Sequence, residues 1–493
     1  MEITTATLLY EGAPIVHVSR AAAEGVLAPP VGMNAVGRVL SIGASATASG
    51  RTTESGLSCD GGVTLSVVYA DPDGGIHGFE STAAFSNEAA CPDLPAGAPV
   101  TVDPVVSELR HTVTNGTINV RIELSLRYTV LPQCSAAVLS GIEGAGVVEL
   151  LKRPAALCHT VRADDELTLT EDIHLPQSAA EILSTSAFCR VSGVSVSGAN
   201  ASVNGVLCAE VLFAGPDGIP AQAAFSLPFE AEAELPEGAE SACARCRVIS
   251  AEAVLTGEDT AELTAVAELW VIAAVKEETE LTADAYSSAE KLDCAFLTLA
   301  LRRDVWADCR ATARIELPLP AGMPEAETVH YVRLRPVACG VECADGSVRL
   351  SATLHASALY TCAAGLLHSF ETTVFCDAQC ECPAAKTGMR AEAQLNAELL
   401  NASGMPGGIA ARLNLTASVT GYLLAEETVL TDAQPAGSRG GSYGPVVYFP
   451  TEGESPWEIG RRFGVPQAEL LKENPGIEKA VPHAVLVNMR RYI

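Results

Sequence analysis

Several of the 16 cysteines fall at spacings that could hold a metal. Cys243-Ala244-Arg245-Cys246 has the spacing of half a zinc site, Cys376, Cys380 and Cys382 cluster, and Cys339 and Cys343 lie nearby in sequence. Tetrahedral zinc needs four converging ligands, and none of these pairs has a counterpart in the first third of the chain. The expectation is no bound metal and thiols that are mostly buried, with oxidative cross-linking as their one chemical use. The nine histidines are scattered, and no phosphate-cradling Gly-x-x-x-x-Gly-Lys occurs. Asp164-Asp165 and Glu277-Glu278 sit in charge-rich stretches and read as solvated faces rather than acid–base pairs. The chain is therefore expected to be no enzyme and to need no cofactor.

The elements that carry these residues repeat. Gly205 to Gly218 reads Gly-Val-Leu-Cys-Ala-Glu-Val-Leu-Phe-Ala-Gly-Pro-Asp-Gly, with an earlier copy from Gly62 to Gly74 and a looser one from Gly346 to Leu354. Aligning Gly62, Gly205 and Gly346 gives spacings of 143 and 141 residues, so one domain type is used three times. A second signal is the alternation of apolar and polar residues from Thr117 to Tyr128, which matches Thr260 onward and again Ala411 to Thr420. Alternation of this kind marks strands with one wet face. Pro72-Asp73-Gly74, Pro216-Asp217-Gly218 and Asp345-Gly346 supply tight turns, and Pro95-Ala96-Gly97 recurs as Pro236-Glu237-Gly238.

The fold class is mainly β, as three tandem all-β repeats, each a sandwich or barrel-like, plus a small α+β (βααβ) module. Repeats are assigned to residues 1–145, 146–288 and 289–432, a Gly/Ser-rich linker to 433–445 and the module to 446–493. Strung in line, the repeats would form a long acidic arm.

Charge narrows the partners. Lys and Arg total 31 against 60 Asp and Glu, a formal charge of −29, which repels nucleic acid and anionic lipid. The first residues lack both a basic start and an apolar run, and no stretch approaches the ~20 apolar residues of a membrane helix. A soluble protein of the cytosol is expected, without membrane insertion. The C-terminal module is neutral, so the acidity belongs to the repeats, for which self-association is one expected use.

In that module, Ser455 is an N-cap with Pro456 at the first helical position, and Gly464 closes a helix ending at Arg462. A second short helix is expected from Pro466 to Lys472. Trp457, Ile459, Phe463, Leu470 and Leu471 have helical spacing and read as the module's core. A binding groove is then sought in the loops, at Glu452, Gly453, Glu454, Ser455 and Pro456, and at Asn474, Pro475, Gly476 and Ile477. Arg461 and Arg462 are candidate contacts to an acidic partner.

Two resemblances follow from these residues. Tyr448, Gly453-Glu454-Ser455, Trp457, Ile459, Phe463-Gly464-Val465, Leu470-Leu471 and Asn474-Pro475 resemble the pattern of a LysM domain. The Leu-Pro leads, the strand from Val203 to Phe213 and Asp284-Ala285-Tyr286-Ser287 resemble the SPOCS domains of clostridial spore-coat proteins. Three such repeats followed by one LysM module resemble the SipL-type coat morphogenetic family. That resemblance implies a non-enzymatic scaffold in the mother cell, at the forespore surface, whose LysM module holds a SpoIVA-like coat ATPase. The alternative is a peptidoglycan-binding wall protein with Ig-like stalk repeats. The module departs from LysM at Glu454-Ser455, where the family has Asp-Thr, and at His483-Ala484-Val485-Leu486-Val487-Asn488, both close to where glycan would bind.

Overall fold

The computed structural model describes residues 1–92, 94, 97–144, 146–439, 444–477 and 483–490. The expected turn at Pro95-Ala96, part of the Gly/Ser stretch (440–443) and the chain's last three residues lie outside them. The first unit contains β1 (Glu2–Glu11), β2 (Ile15–Leu27), β3 (Arg38–Thr53), β4 (Gly56–Ala70), β5 (Ile76–Ala90), β6 (Val100–Thr114), β7 (Thr117–Val130) and β8 (Gln133–Glu143). The second has β9 (Val148–His174), β10 (Glu181–Ser197), β11 (Asn200–Ala214), β12 (Pro220–Glu234), β13 (Ala239–Leu255) and β14 (Thr260–Ser287). The third repeats this with β15 (Glu290–Pro318), β16 (Thr328–Ala344), β17 (Ser347–Thr361), β18 (Leu367–Glu381), β19 (Arg390–Met405) and β20 (Gly408–Ser438).

Each unit is a sandwich of two antiparallel three-stranded sheets. In the first, β3-β4-β5 faces β2-β7-β6, and the other two units keep this order as β10-β11-β12 with β9-β14-β13 and β16-β17-β18 with β15-β20-β19. The alternation seen in sequence does the packing. On β7, Ile118, Val120, Ile122, Leu124, Leu126, Tyr128 and Val130 are all buried in the core between the sheets, while Asn119, Arg121 and Glu123 face water. Asn115 and Gly116, at φ +52° and +77°, form the two-residue β6–β7 hairpin turn whose positive φ angles suit the twist of the strands.

The register corrects the repeat alignment. Gly205 lies opposite Phe229, and the residue opposite the equivalent Phe85 is Gly61, not Gly62. A Cβ on Gly61 or Gly205 would come within 2.5 or 2.3 Å of those rings. In the third unit Cys376 replaces the phenylalanine and Ala352 fits opposite it, whereas Gly346 belongs to the β16–β17 turn. The true repeats of the turn are Gly74, Gly218 and Gly365, all with positive φ and spaced by 144 and 147 residues.

In the second and third units the long strands outrun their sandwiches. Beyond Val275, β14 pairs only with β9, and beyond Tyr422, β20 pairs only with β15. The result is a two-stranded ribbon projecting from each unit. In the first unit the same ribbon is β1–β8, and the strands are interrupted at Gly12-Ala13-Pro14 and Leu131-Pro132, where proline cannot donate to a ladder. The expected linker is shortened by this arrangement: Gln434, Pro435 and Ser438 are still in register with Asp293, Leu292 and Glu290.

The three units close a ring rather than extending an arm. Leu40 and Val68 of the first unit, Leu183, Leu212 and Ala214 of the second, and Tyr331 and Leu359 of the third share one buried cluster. Ser66 bonds Ser184 at 2.8 Å across the first seam, and Ser41 bonds Ser357 at 2.9 Å across the one that joins third to first. At the remaining seam Val332 N–H donates to Gln222 Oε1 at 3.4 Å. The ribbons converge in the same way, through Leu8, Ala136 and Val138, then Ala155, Leu157 and Leu281, then Leu299, Leu301 and Val429. Between these layers Glu11, Thr160, Arg302 and Asp304 form a polar knot with a member from every unit. Thr160 Oγ1 lies 2.6 Å from Glu11 and 3.2 Å from Asp304, while Arg302 donates to Asp304 at 2.7 Å. The repeats thus associate with one another inside a single chain.

The seams tolerate little added volume. A Cβ on Gly78 would sit 1.8 Å from the carbonyl oxygen of Leu183, while nothing lies within 4 Å of one on Gly62. Gly78→Ala is expected to lower unfolding stability by about 1–3 kcal/mol through overpacking, with Gly62→Ala neutral or slightly stabilising. Denaturant midpoints of the two variants check this.

Candidate functional site: the tail module and its seat

After the ring come β21 (Gly444–Tyr448), α1 (Pro456–Phe463), α2 (Gln467–Glu473) and β22 (Val485–Met489), with β21 and β22 antiparallel. The local sequence dictates both helices. Ser455 caps α1 and exchanges bonds with Glu458 in a capping box, and Gly464 closes the helix at φ +67°. These bonds from Ser455 hold the Glu458 carboxyl below its usual range. Pro466 immediately precedes α2. Ile459, Val465, Leu470, Ile477, Val485 and Val487 form the module's core, with Phe463 and Leu471 packed against it.

Trp457 departs from the expected core role. It is buried, but against the second unit: its indole N–H donates to Asp284 Oδ2 at 2.9 Å, and its ring meets Tyr286 edge-on at 4.8 Å between centroids. Arg461 donates to the same carboxylate oxygen at 2.8 Å, so the acidic group it meets belongs to its own chain. Tyr286 O–H donates to the Val465 carbonyl at 2.9 Å. A Cβ on Gly460 would lie 2.6 Å from that hydroxyl, so only glycine lets α1 come this close. Arg439 closes the joint by donating to the carbonyls of Glu290 and Arg462 at 3.2 and 3.3 Å, and its burial lowers its pKa.

The expected groove residues divide into structural and free. Glu454 is buried and accepts bonds from Tyr448 O–H at 2.9 Å and Thr451 N–H at 3.1 Å, with Arg462 pairing to it at 3.1 Å. Burial and the bond to Glu454 raise the Tyr448 hydroxyl above its ordinary pKa. Glu454 and Arg462 therefore brace the β21–α1 loop, and Ser455 and Pro456 start the helix. Asn474 binds both the N–H and the C=O of Leu486 at 2.8 Å, acting as a short extra rung beside β22, and Ile477 lies in the core. Glu452, Gly453, Pro475 and Gly476 stay exposed. On the outer face of the β21–β22 ribbon, Val447 and Leu486 are cross-strand partners and, with Phe449, lie open to solvent.

Sequence reasoning missed the seat itself. Asp284-Ala285-Tyr286-Ser287 stood out as a motif, but nothing local showed that a helix from 170 residues downstream would cover it. The counterpart in the third unit is Asp432-Ala433-Gln434. Its Asp432 makes the same bond to the following backbone N–H as Asp284, at 2.9 Å, yet it lacks the tyrosine.

The cysteine clusters do not assemble a metal site. Cys243 and Cys246 are three apart on β13 and so point to opposite faces: Cys246 into the core, Cys243 into a cavity of about 180 Å3 at the seam with the third unit. Cys309, Cys376, Cys380 and Cys382 lie in the third unit's core with Cys339 and Cys343 packed against it. All 16 are free thiols, and burial pushes Cys208 up to about 11 and Cys243 and Cys309 up to about 12. Among the described residues no group of three or more His, Cys, Asp or Glu is placed to hold a metal, and no helix is long and apolar enough to cross a membrane.

No family model, no curated protein and no solved structure matches the chain. What stands is a class: a mainly β protein whose three sandwiches close a ring and carry a βααβ module on the second unit.

Two outcomes test this site. Asp284→Ala leaves the Trp457 indole N–H without its acceptor, and is expected to weaken docking by about 2 kcal/mol without unfolding the module. Faster proteolysis between Arg439 and Tyr448, with unchanged exchange protection of Ile459 and Val487, is the readout. Native alkylation at neutral pH should label at most the seven cysteines that are only partly buried, and unfolding should expose all 16. Intact-mass spectrometry counts them.

Proposed function

We propose that this chain is a non-enzymatic scaffold of spore-coat assembly, in which the acidic ring is the platform and the tail module is the recruiting element. The observation that supports it best is the mounting of that module. One face of α1 is committed to Asp284 and Tyr286, while Glu452, Gly453, Pro475, Gly476 and the Val447–Leu486 face stay free. A partner would therefore meet a module held at a set position on the ring, which suits an adaptor. The partner proposed from the resemblance to the SipL-type family is a SpoIVA-like coat ATPase, and the place of action is the mother-cell face of the forespore.

The second reading is a wall protein that binds peptidoglycan through a LysM-like tail. It has in its favour the βααβ order of the module. Against it stands the first loop, whose buried Glu454 is spent on Tyr448, Thr451 and Arg462.

Removing the residues after Gly444 is expected to abolish pull-down of the coat ATPase while the ring keeps its unfolding transition. Retained pull-down would move the partner site onto the ring. Sedimentation of the full chain with purified murein sacculi separates the two readings, since only the wall protein would co-sediment.

A further inference from the structure

The three seams of the ring differ at matched positions. Ser66, Glu210 and Ser357 occupy the same register on the middle strands, opposite Gly43, Ser186 and Arg333. At two seams the serine makes a short neutral bond to the neighbouring unit, to Ser184 and to Ser41. At the seam between the second and third units a carboxylate stands there instead. The residue in register with Ser41 and Ser184 on that side is Tyr331, opposite Leu359 as they are opposite Val68 and Leu212.

We propose that the seam between the second and third units is a proton-operated joint, closed as firmly as the two serine seams when Glu210 is protonated and loosened when it ionises. The groups facing Glu210 come from several strands. Arg333 and Tyr331 approach from β16, Glu398 and the Leu399 backbone N–H from β19, Gln222 from β12, and Cys208 lies on its own strand. Arg333 is the one cation among them, and it is shared. Its guanidinium lies over Gly43 of the first unit, and Glu80 of that unit also draws on its charge. Next to it Arg335 donates to the Val106 carbonyl and serves Glu371, which lies 3.7 Å from His355. Each unit thus presents one carboxylate (Glu80, Glu210 or Glu371) to a pair of arginines that the third unit alone supplies.

Desolvation dominates this balance. It raises all three carboxyls, and Glu210 from 4.5 to about 7, against the opposing pull of Arg333. The raised value fixes the sign. Between pH 4.5 and 7 the folded chain holds a proton that the unfolded chain has released, so the contribution of Glu210 to stability falls as pH rises through that window. Acidification tightens the joint, and it is weakest above pH 7, where Glu210 is ionised.

The test is amide exchange on the full chain, corrected for intrinsic rates, at pH 5.5 and pH 8, for wild type, Glu210→Gln and Glu210→Ser. In the wild type, protection of β11 and β16 at this seam should fall on the order of tenfold with rising pH. Both variants should lose that difference. Equal protection at the two pH values in the wild type, or a fall that persists in both variants, would overturn the proposal. If neither variant folds, the wild-type comparison of the two pH values decides it alone.

Discussion

The structure depends on ring closure about one axis. Every unit packs its β3-β4-β5 sheet, or the equivalent β10-β11-β12 or β16-β17-β18 sheet, against the next, and the ribbons meet in a second layer where Leu8, Leu157, Leu299 and their neighbours exclude water. Burying apolar area supplies the attraction, at about 25 cal/mol per Å2, but it does not choose the register. The polar contacts do that, because a buried donor or acceptor displaced from its partner costs about 1–3 kcal/mol. Thr160 can reach both Glu11 and Asp304 only when all three ribbons are in place. The knot therefore ties one member of every unit to the same place.

Closure also explains how the repeats have diverged. Positions inside a sandwich keep their character, as the apolar runs of β7, β14 and β20 show. On the axis Val68, Leu212 and Leu359 also stay apolar, but neighbouring positions such as Ser66, Glu210 and Ser357 do not, because each faces a different neighbour. The third unit supplies Arg333 and Arg335, the second Asp284 and Tyr286, and the first breaks its long strands at proline. The unit with the tyrosine is also the one the tail can reach. β20 ends opposite Glu290, three residues after Ser287, so the chain leaves the ring beside the seat.

A tail fixed in this way is a different object from a module on a flexible tether. Bonds from Trp457 and Arg461 to one buried carboxylate oxygen, with Tyr286 reaching the Val465 carbonyl, constrain its direction as well as its position. Pre-set orientation lowers the entropy lost when a partner binds. The excess of acidic residues in the ring would in addition favour encounter with a basic surface.

Much of the fold is legible in the residues alone. Alternation at Thr117–Tyr128 and its copies determines strands with one dry face, and Ser455, Glu458 and Gly464 determine the first helix to within a residue of each end. These are local matters, settled by backbone geometry and nearest neighbours. The sequence misled where a side chain's partner was distant. Trp457 had the spacing of a core residue, yet its face of α1 is covered by the second unit. Gly62 seemed to repeat as Gly205, but the ring of Phe229 requires glycine opposite it, and in the first unit that residue is Gly61. Whether three acidic repeats form an arm or a ring is likewise absent from any one repeat. It depends on how surfaces some 140 residues apart fit together, and only the tertiary structure brings those surfaces into contact.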